Sequence, residues 1–162
     1  TLNPIEVEAS DWGRVVHSLR RVYKRGYRAF QQLREAPDPN VIHEWRKRTK
    51  YLRYQLRLLK RVWPGIINPW RDELHDLSDL QGDHHDLHEF KAHLPKLDGV
   101  KELTRQSIEA LADKQQQRLY LQMLPLGARL YAETPDAFAR RLHAYLQAWD
   151  RQLQGAVPAS VR

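Results

Sequence analysis

The chain has 162 residues, about one domain at roughly 150 residues each. Its 27 Lys and Arg outnumber 20 Asp and Glu, giving a formal charge of +7 with histidine neutral and a pI near 9.8. The absence of cysteine excludes a disulfide scaffold, a thiolate zinc site and a cysteine nucleophile, and no stretch nears the roughly 18–20 apolar residues of a membrane span.

Residues 1–10 read as an extended lead-in without the basic and apolar pattern of a secretory signal. Asp11 is then the expected N-cap of a first helix. Trp12, Val16, Leu19, Tyr23, Tyr27, Phe30 and Leu33 follow it at helical spacing. Pro37 stops that helix. Asp38 caps a second, with Pro39 at its first position, where a missing N–H costs little. The second helix is expected to bury Ile42, Trp45, Thr49, Leu52, Leu56, Leu59 and Trp63, and to end at Pro64 and Gly65.

Asn68 and Pro69 repeat the cap-then-proline signal. A third helix is expected there, with Trp70, Leu74, Leu77 and Leu80 on one side. Gly82 is expected to interrupt it, and Asp83 to recap a short helix that ends near Leu94. A turn over 95–99 leads to a longer helix carrying Leu103, Ile108, Leu111 and Leu119, with a kink or break at Pro125. Thr134 and Pro135 start the last helix, which carries Phe138, Leu142, Tyr145 and Trp149. The whole is an all-α antiparallel helical bundle over 11–154, about four long helices plus short ones. A frayed tail is expected over 155–162.

Two helices carry cations in one order. His17, Arg20, Arg21 and Lys24 share the pattern H-x-x-R-(R/K)-x-x-K with His43, Arg46, Lys47 and Lys50. Steps of three and four extend the first set from Arg14 to Arg28, and the second to Arg53, Tyr54 and Arg57. At 100° per residue the second stripe centres roughly 130° from the apolar stripe, so it flanks the core face. Two such helices are expected to turn both stripes toward a shared groove. Like charges at i,i+4 destabilise a helix by about 0.2–0.5 kcal/mol per pair, a cost that a multivalent anion would remove.

The middle of the chain opposes this trend. Asp72, Asp76, Asp79, Asp83 and Asp86 are interspersed with His75, His84, His85, His88 and His93. His84 and His88 have a metal-compatible i,i+4 spacing. The zinc-protease pattern is absent, however, and nothing fixes the further His and Asp that a His-Asp phosphohydrolase would need. No metal and no cofactor are therefore expected. Asp83 and Asp86 are read as support that holds arginine side chains in place. The five tryptophans fall on apolar stripes and read as core, leaving Tyr54 as the aromatic residue among the cations.

These segments resemble a known family, the CHAD (conserved histidine α-helical) domains. The resemblance lies in His43-Glu-Trp-Arg46-Lys47-Arg-Thr-Lys50-Tyr-Leu-Arg53-Tyr54 and in Leu77-Ser-Asp-Leu80-Gln81-Gly82-Asp-His-His-Asp86-Leu87. It continues in the segment from Leu19 to Gly26 and in that from Leu126 to Glu133. Such domains are built from two similar helical bundles, and this chain is similar to the C-terminal half. The resemblance implies non-catalytic binding of inorganic polyphosphate. The implied contacts are His43, Arg46, Lys47, Lys50, Arg53, Tyr54 and Arg57 with His17, Arg20, Arg21, Lys24 and Arg28.

Nucleic acid is the alternative polyanion, since the charge suits it equally. A metal-dependent phosphohydrolase using residues 75–93 is the lesser alternative. A second copy, or fusion to another half, is expected to complete the module. No membrane partner is expected, and a cytoplasmic location, at polyphosphate granules, goes with this reading.

Overall fold

The computed structural model describes residues 12–156. The expected lead-in, the Asp11 cap and all of the tail beyond Ala156 lie outside these residues. Among the described residues the chain is helical: α1 (Trp12–Glu35), α2 (Pro39–Leu56), α3 (Pro64–His93), α4 (Glu102–Leu130) and α5 (Pro135–Ala156). Short 3-10 turns follow α2 and α3 at Arg57–Leu59 and Leu94–Lys96.

The cap signals hold where a side chain can reach a free backbone donor. Asp38 Oδ1 accepts the N–H of Asn40 at 2.8 Å with Pro39 in the first turn. Thr134 Oγ1 accepts the N–H of Ala137 at 3.3 Å. Asn68 and Pro69 are a correction. The helix already starts at Pro64, and Pro69 lies inside it. In the second turn Pro69 removes one backbone bond, to the carbonyl of Gly65, while buried Ile67 docks the first turn on the core.

Gly82 and Pro125 are also helical, so neither the expected interruption nor the break occurs. Asp83 is therefore not a cap. Trp63 is 47% exposed at the N-cap of α3, not buried. Leu103 and Leu111 are 79% and 68% exposed, because the buried residues of α4 begin only at Ala112. α5 runs two residues past the expected boundary at Gln154.

Contacts give the directions. α1 and α2 run antiparallel, with Gln55 Nε2 donating to Ser18 Oγ at 3.2 Å. α3 returns along α2, and α4 along α3, where Arg129 meets Glu73 at 3.3 Å and Gln116 Nε2 donates to the carbonyl of His84 at 3.1 Å. α4 and α5 depart from the expected hairpin pattern. Tyr120 of α4 donates to the carbonyl of Leu33 at 2.7 Å, and Arg20 meets Asp136 of α5 at 2.7 Å. The C-terminal part of α4 thus meets the C-terminal part of α1, and α5 packs along the rest of α1.

The core is an aromatic cluster where these helices meet. Tyr23 stacks on Phe138 with ring centroids 4.0 Å apart, Phe30 lies 5.3 Å from Trp45, and Tyr131 sits 5.2 Å from Tyr23. Each ring contributes about 1.5–3 kcal/mol by burial. Gly26 and Gly127 let the backbones approach these rings. This core fixes the rotation of α2, and with it the direction of the basic stripe.

Candidate anion-binding groove

With Ile42, Trp45, Thr49, Leu52 and Leu56 buried, helical geometry leaves two flanks on α2. The flank toward α1 carries Val41, Glu44, Arg48 and Gln55. The other flank carries His43, Arg46, Lys50, Arg53 and Arg57 and faces α3. The His43 and His85 rings stand 4.7 Å apart there, and the Arg46 guanidinium packs against Gly82. On α3, spacings of seven, four and three put Arg71, Ser78, Gly82 and His85 on one face.

The sequence does not single out Arg71. Its place in that i, i+7, i+11, i+14 series was the available signal. His43 and Arg46 therefore face α3, and not α1 as a groove shared by the first two stripes requires. The angle of a stripe from the core can be read from sequence, but which neighbour packs on that side is set by the tertiary arrangement.

Several cations elsewhere are taken up in ion pairs, while others, Arg25 and Arg28 among them, are not. Glu44 engages both Arg48 and Lys47. Asp136 takes Arg20, Asp113 takes Lys91, Glu73 takes Arg129 and Glu133 takes Arg141. Arg46, Lys50, Arg57 and Arg71 make no ion pair or side-chain hydrogen bond among the described residues. Arg53 makes only a ring contact, 6.0 Å from the centroid of Tyr54. Buried Nε atoms of Arg46 and Arg71, and Nδ1 of His43, have no hydrogen-bond partner. An unmet buried donor costs about 1–3 kcal/mol, more when charged. The pKa of His43 is lowered by burial first, and then by the charges of Lys47, His85 and Arg46.

The remaining expected residues scatter. Tyr54 is 54% exposed, and Lys47 is exposed and held by Glu44 at 3.6 Å. Arg20 turns to α5, so it cannot share a groove with α2. Arg28 lines a separate cleft between α1 and α2. His17 and Arg21 are exposed and Lys24 is half-buried, on the side of α1 away from its core stripe. Asp83 and Asp86 are exposed and make no ion pair or hydrogen bond among the described residues, so the expected support of arginines is not formed.

His84 is buried against α4. Its pKa is lowered by burial, then by His88, Lys91 and His85. Among the described residues no group of three or more His, Cys, Asp or Glu is placed to hold a metal ion. No described helix is long and apolar enough to cross a membrane.

The described residues thus form an all-helical fold in which Arg46, Lys50 and Arg71, beside the contact of α2 with α3, carry no ion pair. A family model for the CHAD domain matches residues 4–95, more than half of the chain. The match takes in α1, α2 and α3 and with them both walls of the groove. The protein belongs to the CHAD domain family. No curated protein and no solved structure matches the chain.

Proposed function

We propose that this chain is a non-catalytic binding module for inorganic polyphosphate, with the polymer seated in the α2–α3 groove. The observation that supports the reading is the row of cations without ion-pair partners, Arg46 and Lys50 of α2 and Arg71 of α3, with the Nε atoms of Arg46 and Arg71 unpaired. Cations three and four residues apart on a helix stand about 5–6 Å from one another, so their repulsion is relieved by an anion that is itself continuous. Arginine adds bidentate geometry toward phosphate oxygens. Affinity then rises with polymer length as more contacts engage, and falls with salt.

Calorimetry with polyphosphates of graded length tests this. Tighter binding with length is the expected result, with no phosphate released during the titration. Charge reversal at both Arg46 and Lys50 is expected to abolish binding with helical circular dichroism unchanged. Binding that survives reversal places the site elsewhere. Displacement by duplex DNA or RNA at equal phosphate concentration would favour nucleic acid instead. On this reading the chain supplies one half of a two-bundle plan, completed by a second copy or a fused half. Light scattering at rising concentration tests the second copy, and a strict monomer removes it. A cytoplasmic, granule-associated location belongs to the same reading and is checked by imaging a fluorescent fusion.

A further inference from the structure

A second place on the molecule gathers uncommitted donors, on the opposite flank of α2. Between α1 and the start of α2 lies a cleft of about 470 Å³, within the roughly 300–1,000 Å³ of small-molecule sites. Arg25 and Arg28 of α1 and Arg48 of α2 rim it. Its polar wall is formed by Gln32 and Asn40, and its floor by Ala29 and Val41.

The cleft's one carboxylate, Glu44, is already engaged by Arg48 and Lys47. Among the described residues the guanidiniums of Arg25 and Arg28 and the side-chain amides of Gln32 and Asn40 make no hydrogen bond or ion pair. Four free donor groups thus line one recess whose acid is neutralised. Arg25 and Arg28, three residues apart, also repel each other along the helix.

The chemistry differs from that of the groove. The groove follows two helices and suits a polymer. The cleft is local, and its apolar floor would be wasted on a bare inorganic anion. We propose that the cleft binds a small phosphate monoester. The phosphate sits between Arg25 and Arg28 with Gln32 and Asn40 donating to its oxygens, and the organic part covers Ala29 and Val41. The assignment stands independently of polyphosphate binding, because it shares no residue with the α2–α3 groove.

The test is a titration of the ¹⁵N-labelled protein with phenyl phosphate and, separately, with inorganic phosphate, followed by amide shifts. Saturable shifts at Gln32, Asn40 and Val41 are expected, with phenyl phosphate bound at least about fivefold more tightly because the floor adds apolar burial. Arg25→Ala with Arg28→Ala should weaken binding more than about tenfold, since charged hydrogen bonds are lost. Both side chains are exposed and partnerless, so the fold is expected to survive. Gln32→Glu, which adds a negative charge to the wall, should give the same loss by a second route. The groove variant with Arg46 and Lys50 reversed should keep its affinity for phenyl phosphate. Shifts centred on Arg46, Gly82 and His85, equal affinity for inorganic phosphate, or unchanged binding in the arginine double variant would each overturn the proposal.

Discussion

The Arg46 guanidinium is laid directly on Gly82. A Cβ built at Gly82 would stand 3.3 Å from one terminal nitrogen of Arg46 and 3.5 Å from its Nε. Glycine inside a helix costs about 1 kcal/mol relative to alanine, so its place in α3 has a reason beyond helix formation: it leaves room for the arginine in the groove. Gly82→Ala should hold or raise the melting temperature, because Arg46 needs to yield only slightly. Polyphosphate affinity should fall about two- to threefold, a fraction of one hydrogen bond. Gly82→Leu should push the guanidinium out and approach the loss of Arg46→Ala. Thermal melts paired with calorimetry check both, and an affinity unchanged in the leucine variant would show that Arg46 does not hold the polymer.

In the proposed binding mode His43 would couple binding to pH. Its pKa lies below the ordinary 6.5, first through burial and then through Lys47, His85 and Arg46, with Glu44 pulling the other way. A polyanion in the groove reverses the sign of the local field and favours the protonated ring. Binding should therefore take up protons, and affinity should rise as pH falls toward and below 6.5. Calorimetry at one pH in two buffers of different protonation enthalpy measures the uptake. Equal heats in both buffers would rule it out, and His43→Gln should reduce the uptake.

How far the sequence reached can be judged from single residues. Asp38 and Thr134 were legible because capping is local: a side chain meets a donor two or three residues away. The basic stripe of α2 was legible as a stripe because its period is that of the helix. Its partner was not. That Arg46 meets Gly82, and that Arg20 turns to Asp136, depends on which helix packs on which flank. Gly82 and Pro125 each disfavour a helix locally, so the sequence predicts breaks there. In the fold, packing on both sides overrides them. Arg71 is not legible as a groove residue, because its neighbours in the chain are neither basic nor repeated.

His84 makes the fold sensitive to acid. Its ring is buried, and burial, followed by the charges of His88, Lys91 and His85, lowers its pKa below 6.5. The unfolded chain binds a proton near 6.5 while the folded chain resists it. The unfolded state then holds more protons, so stability rises with pH in this window and falls on acidification. His43 acts in the same direction. The melting temperature should drop from pH 7 toward pH 5, and His84→Gln should flatten that slope. A slope unaltered by His84→Gln would assign the acid sensitivity to other groups.

The close approach of α1, α2 and α4 rests on two glycines, and their replacement separates packing from helix propensity. A Cβ at Gly127 would meet Phe30 Cε2 at 2.5 Å and Trp45 Cη2 at 2.8 Å; one at Gly26 would meet the Tyr131 hydroxyl at 2.5 Å. Alanine gains about 1 kcal/mol of helix propensity at either site, against roughly 1–3 kcal/mol for forcing extra volume into a packed core. The rings are buried and packed against one another, so they cannot swing away, and the packing penalty should exceed the propensity gain. Gly127→Ala and Gly26→Ala should each lower stability by about 1–2 kcal/mol, or about 2–8 °C in melting temperature for a domain of this size. Gly155, in α5 with nothing within 4 Å of a built Cβ, should gain a few tenths of a kcal/mol as alanine near the helix end. Phe30→Leu should lose stability alone by shrinking a core ring, yet lose less in the Gly127→Ala background, since the smaller side chain makes room for the new methyl. That double-mutant cycle, read by urea unfolding, is expected to show favourable coupling. Strict additivity would mean that Phe30 is not what resists a side chain at position 127.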